Sequence, residues 1–223
     1  MKNKIQETVR FYLLATQLKY KIRGGWDNNH WAVTKERLES VAEHVYGTCI
    51  LALSIYSNFE VNVDINKVLK MLVLHEIGEV IIGDITPFDN TTPEEKLEKE
   101  HEAVRKVLGD LVKKEEYYSL LVEFDAKETK EAIFAFHCDK LDANIQAKAY
   151  QDEGYQNPLD APINNAVFKS NRLKKAIEDG AKTVFDAWYI YDKYLYNDEI
   201  FSNILEFIKE NNTQEIIKEI STI

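Results

Sequence analysis

The chain has 223 residues, with 28 Lys plus Arg against 38 Asp plus Glu, for a formal charge of −10. Its 45% hydrophobic content is enough to bury one sizeable core, and its acidic field repels polyanions, which argues against a nucleic-acid polymer as partner. Cys49 and Cys138 are the only cysteines, and without a CxxC spacing they suggest neither a disulfide framework nor a cysteine zinc site.

The N-terminal segment mixes Lys2, Lys4, Glu7 and Arg10 with apolar residues, so it does not read as a signal peptide. No run approaches the roughly 20 apolar residues of a membrane span. The expectation is a cytoplasmic protein of one domain that does not associate with membranes. Only 8 Gly and 4 Pro interrupt the chain, and apolar residues recur three and four apart, which predicts an all-α fold.

In chain order, a first helix over about 2–21 ends before Gly24-Gly25, and a polar loop through Asp27, Asn28 and Asn29 leads to a second over roughly 39–58. Asp64 N-caps a third that runs to about Ile82 and breaks at Gly83. Thr92-Pro93-Glu94-Glu95 restarts the chain with a capping box and proline at the first helical position. Helices at about 93–109, 114–124 and 128–153 follow, then a loop marked by Gly154 and Asn157-Pro158, then two helices over 163–209 within a C-terminal helical part reaching about 220. Trp188 to Phe207 is crowded with aromatics, a pattern of ordinary packing for which a subunit interface is the alternative.

The run Leu72 to Ile82 sets His75, Glu76 and Glu79 among apolar residues, where an unpaired ionisable group is costly. His75 and Glu79, four apart, share a helical face, and Glu76 is turned from it by about 100°. Such a segment offers two metal ligands and a nearby base, although a His-Glu pair alone is more often a satisfied core hydrogen bond. His44 follows Ser40-Val41-Ala42-Glu43 at the polar end of a core helix and on its own is an ordinary histidine. Asp139 interrupts the apolar stripe Ala132, Ala135, Phe136 and Ala143, with Asp142 close behind, and periodicity does not choose between the two aspartates.

The order His44, His75-Glu76, Asp139 resembles the HD superfamily, whose metal is bound by a His, an adjacent His-Asp pair and a distant Asp. Within it the chain is most similar to the 5′-deoxynucleotidases. The likeness is carried by Arg23-Gly24-Gly25-Trp26, Glu39 to His44, His75-Glu76-Ile77-Gly78-Glu79, Gly83-Asp84-Ile85-Thr86-Pro87, and Asp139 followed by Ile145-Gln146-Ala147. It spans about residues 10–155, and the part beyond about 160 matches no pattern. One position departs: the pair's aspartate is Glu76, which keeps the carboxylate but adds a methylene.

The resemblance implies an HD-domain helical bundle that removes the 5′-phosphate from (deoxy)nucleoside monophosphates. His44, His75, Glu76 and Asp139 would hold one divalent cation, and their mixed nitrogen and oxygen donors suit Mn²⁺, Co²⁺, Fe²⁺ or Zn²⁺, with Mg²⁺ also considered. Glu79 is the expected general acid/base. Arg23 is expected to grip phosphate, Trp26 to wall the sugar-base pocket and crowd the 2′ position, and Asp84 to accept a bond from a sugar hydroxyl. Their plain alternatives are a solvated arginine, a loop tryptophan packed on the core, and an aspartate stabilising the Gly83 turn. His30, His101 and His137 fit no motif position, and a homodimer is expected. Two other functions fit the same residues: an HD phosphohydrolase acting on another phosphoester, and a nucleotide-binding module whose activity Glu76 has weakened.

Overall fold

Helices joined by turns make up the protein, which a computed structural model describes at residues 1–26, 33–86, 92–156, 159 and 166–220. Among these residues the extended pairing is limited to two isolated bridges, Ile22 with Ser40 and Val33 with Gln156, so the all-α expectation holds. His30, the loop at Asp27 to Asn29, and Asn157-Pro158 lie outside the described residues.

The first helix, α1 (Lys2–Ala15), is shorter than its apolar spacing predicts and passes into a 3₁₀ turn over Thr16–Tyr20. The Thr16 hydroxyl donates to the Tyr12 carbonyl at 2.7 Å, the side-chain competition that weakens threonine in a helix. In α2 (Val41–Asn58), Ser40 forms a full capping box: its hydroxyl accepts from the Glu43 N–H, and Glu43 accepts from the Ser40 N–H at 2.9 Å. Val41, His44, Thr48, Ala52 and Ile55 are its buried residues, so His44 sits at the head of the core face.

Asp64 caps α3 (Ile65–Leu74) as expected, accepting from the Asn66 and Lys67 N–H groups. That helix does not continue to Ile82. It ends at Leu74, residues 75–78 form a tight turn, and α4 (Glu79–Ile82) follows as a single helical turn. The turn tightens because the Ile77 and Glu79 N–H groups reach back three residues, to Leu74 and Glu76. Gly83, at φ 78°, then ends the segment, in the region where glycine carries no Cβ penalty.

After the Thr92 capping box and Pro93 come α5 (Pro93–Leu108), α6 (Lys114–Ala126) and α7 (Lys130–Asp152). The C-terminal part is divided more finely than two helices over 163–209: α8 (Ala166–Lys169), α9 (Asn171–Glu178), α10 (Val184–Asp192) and α11 (Glu199–Glu210), then α12 (Thr213–Ile220). Ser170, Thr183 and Asp198 each cap a new start, and Gly180 at φ 102° separates α9 from α10.

The chain divides into two compact units: Met1–Gly24 with Glu39–Ile85 and Thr91–Asp139, and Gly25–Leu38 with Thr86–Asn90 and Lys140–Ile223. In the first, Leu74, Ile77, Val104, Val107, Leu108 and Leu121 pack α3 and its turn against α5 and α6. In the second, Trp26, Tyr150, Leu173, Phe185 and Trp188 lie in one core. Of the aromatic-rich segment, Trp188 lies in this core with Tyr189 and Tyr191 packed against it, whereas Tyr194 and Phe207 are exposed. No helix among the described residues is long and apolar enough to cross a membrane.

Candidate metal centre

The first unit brings the candidate ligands together. His44 comes from the first turns of α2, His75 and Glu76 from the turn after α3, and Asp139 from α7. Nε2 of His44 lies 3.0 Å from Asp139 Oδ1 and 3.6 Å from Glu76 Oε1. Nε2 of His75 lies 3.4 Å from the same Glu76 oxygen and 3.7 Å from Asp139 Oδ1. Ligand atoms about 2.1 Å from a shared cation stand roughly 3.0 to 3.4 Å apart at right or tetrahedral angles, so these spacings suit one ion.

His75 gives the sharpest test of whether a cation fits. Its Nδ1 is 2.6 Å from the Leu72 carbonyl oxygen, which can only accept, so Nδ1 carries the proton. Nε2 is thereby left with a lone pair, and it is buried with no hydrogen-bond partner. A backbone carbonyl fixing one ring nitrogen while the other waits for an ion is the usual support of a ligating histidine. The four ligand atoms all lie within 4.8 Å of one another. Within the first unit, Asp139 lies beside both imidazoles.

Electrostatics separates the two glutamates of the turn. Burial alone would raise the Glu76 carboxyl, but His75, then Arg23 and His44, outweigh it and hold it at about 2 against its ordinary 4.5. Glu79 moves the other way: burial first, then the like charges of Asp84 and Glu76, push its carboxyl well above 4.5. It is 2% exposed, and its Oε2 has no hydrogen-bond partner. Two carboxyls three residues apart are thus driven towards opposite protonation states, a usual mark of divided acid and base roles.

Residues 15–181 match the family described as HD domain. The chain belongs to the HD-domain family. Its HD-domain relatives include the mouse protein named 5′-deoxynucleotidase HDDC2, 32% identical over 146 residues that cover 65% of this chain and 70% of the relative. The Dictyostelium discoideum protein of the same name is 30% identical over 155 residues, covering 66% and 80%. A conserved hypothetical protein from Pyrococcus furiosus shares the fold, with TM-score 0.62 and 25% identity over 91% of this chain and 99% of that one. A predicted metal-dependent phosphohydrolase from Magnetospirillum magnetotacticum aligns at TM-score 0.56 and 23% identity, over 86% and 90%. As an HD-domain protein the chain is a metal-dependent phosphohydrolase.

The other expected site residues fall less simply around this HD-domain centre. Arg23 is not a solvated arginine: its side chain is 12% exposed, and Nη1 lies 3.0 Å from Glu76 Oε1 and 3.2 Å from Asp84 Oδ2. Asp84, expected at a sugar hydroxyl, receives the Gly24 N–H at 2.7 Å with the oxygen that faces Arg23. The Gly83 turn brings it back onto that loop. Trp26, expected to wall a pocket, is 1% exposed in the core of the second unit, 5.6 Å from the Tyr150 ring and 6.1 Å from that of Trp188. An indole packed edge-on between two large rings gains more from burial than from facing solvent. His101 bridges α5 to α6 by pairing with Tyr118 and Asp125, and His137 is buried.

Two supports escaped the sequence reading. The Leu72 carbonyl orients His75, and backbone groups leave no sequence signal beyond their spacing. Gly78 lets the turn approach α5, since a Cβ there would meet the Glu100 carbonyl oxygen at 3.2 Å. A glycine inside an apolar helical run was the available sign.

Proposed function

We propose that the protein removes the 5′-phosphate from deoxynucleoside monophosphates, with His44, His75, Glu76 and Asp139 holding one divalent cation. The observation that carries this reading is the unpartnered Nε2 of His75 facing the oxygens of Glu76 and Asp139. The names of the mouse and Dictyostelium relatives supply the substrate class. A cation in that position would draw charge from a phosphate oxygen and acidify a water.

The chain's own residues would do the rest. Hydrolysis adds the water oxygen to phosphorus, breaks the bond to O5′ and leaves that oxygen needing a proton. Glu79, held towards its protonated form and one turn from the ligands, would supply it and take up the proton the water gives up. Arg23 would bring positive charge to the phosphate: Nη1 is engaged, but its Nε–H is buried without a partner.

A cytoplasmic location accords with Cys49 and Cys138 forming no disulfide. A homodimer would bury the exposed apolar face of α2 that carries Tyr46, Ile50 and Leu53, and light scattering at micromolar concentration tests it. The activity is tested by phosphate release from deoxy- and ribonucleoside monophosphates, after chelation and return of Mn²⁺, Co²⁺, Fe²⁺, Zn²⁺ or Mg²⁺. Metal-dependent release that His75→Ala abolishes supports the reading. Preference for a triphosphate or a cyclic phosphodiester would replace the substrate class but leave the centre in place.

A further inference from the structure

Glu76 Oε1 has more claimants than one oxygen usually serves. Arg23 Nη1 donates to it at 3.0 Å, while the Nε2 atoms of His75 and His44 lie 3.4 and 3.6 Å away. The oxygen that faces the centre is therefore the oxygen the guanidinium holds. The pair is well screened from water, with both side chains 12% exposed. Arg23 is itself held in place, because Asp84 Oδ2 lies 3.2 Å from the same Nη1 and fixes the neighbouring Gly24 N–H.

We propose that Arg23 is a resident counter-cation of this centre, sharing Glu76 Oε1 with the metal and holding metal affinity down. The inference rests on the reading of Glu76 as a ligand. Its physical basis is that a buried carboxylate oxygen bonded to a guanidinium has less charge to offer a second cation. A permanent positive charge beside the site also opposes a divalent ion directly, and weak screening makes that opposition strong. The longer reach of glutamate fits this arrangement, because its extra methylene carries the carboxylate to a position that both cations can address. Asp84 completes the device as a positioning residue, since it holds the guanidinium by Nη1 and the loop by the Gly24 amide.

A role in fold support alone makes the opposite prediction: loss of Arg23 would loosen Glu76 and weaken metal binding. The test is isothermal titration of the chelator-stripped full chain with Mn²⁺ alone, with thermal melting to confirm folding. Arg23→Gln removes the charge, Arg23→Met repeats the removal with a different side chain in case the first variant is unstable, and Arg23→Lys keeps the charge without the fork. The expected result is one Mn²⁺ per chain, bound on the order of tenfold more tightly by the Gln and Met variants, with the Lys variant within about threefold of the wild type. Equal or weaker binding in the neutral variants, with the wild type binding normally, overturns the role of Arg23 and leaves the metal centre standing. No Mn²⁺ uptake by the wild type overturns the centre and this inference together.

Discussion

His44 Nε2 and Asp139 Oδ1 lie 3.0 Å apart across ninety-five residues of chain, both buried, at the meeting of α2 and α7. Asparagine at 139 keeps the shape and a hydrogen-bonding oxygen but removes the charge a divalent ion needs. Asp139→Asn is therefore expected to stay folded and to bind metal on the order of 100-fold more weakly, as read by metal titration and elemental analysis. Unchanged metal content would take Asp139 out of the ligand set and make Asp142 the residue to test.

Glu79 carries a prediction about chemistry separable from metal binding. Glu79→Gln keeps the volume of the side chain but cannot exchange its proton, so turnover should fall by something like 10²-fold or more while metal content holds. Full activity with metal bound would remove Glu79 from the mechanism.

The same residue sets a pH dependence of stability in the metal-free protein. Burial and the neighbouring carboxylates raise Glu79, so its contribution is complete below pH 4.5 and is lost as pH rises through the raised value. Glu76 has the opposite sign: held at about 2, it contributes above pH 4.5 and loses that contribution as pH falls towards 2. Glu79→Gln should thus leave the melting temperature unchanged near pH 4 and raise it progressively towards pH 8. A constant difference across that range would mean that the substitution acts through packing.

Gly78 tests how closely the metal-binding turn must approach α5. A Cβ would stand 3.2 Å from the Glu100 carbonyl oxygen and 3.3 Å from Val104 Cγ2, tighter than ordinary contact. Gly78→Ala should cost about 1–3 kcal/mol in chemical denaturation, the range for forcing a methyl into a packed site. It should also weaken metal binding, because His75 and Glu76 ride on that turn. A neutral effect on both would show that α5 yields.

Helical periodicity made only part of this centre legible in the sequence. It set His75 in an apolar run and placed an aspartate, Asp139 or Asp142, on an apolar stripe, whereas His44 read as an ordinary histidine and the set of His44, His75, Glu76 and Asp139 came from the family resemblance. The caps at Asp64 and Thr92 are local chemistry fixed by a few adjacent residues. What escaped depends on contacts distant in sequence. The helix through His75 was drawn too long because three-residue hydrogen bonds and four-residue ones share nearly the same apolar spacing. The pairing of Arg23 with Glu76, fifty-three residues away, leaves no periodic trace. The breaks after 163 were marked by Ser170, Thr183 and Asp198, but polar caps among many polar residues are hard to single out.

Trp26 gives the most direct contrast between a role in selectivity and a role in packing. An indole beside a bound sugar would disfavour the 2′-hydroxyl, and Trp26→Ala would then let AMP gain on dAMP as substrate. The structure puts Trp26 at 1% exposure against Tyr150 and Trp188, so removing the ring would open a cavity in that core. The expected cost is about 3–5 kcal/mol of stability, the usual range for truncating a buried aromatic. With the loss confined to packing, the rates on dAMP and AMP should fall together at a temperature where the variant is still folded, and their ratio should stay within about twofold. A shift of tenfold or more towards AMP, in a variant whose melting temperature has barely moved, would return Trp26 to the substrate pocket.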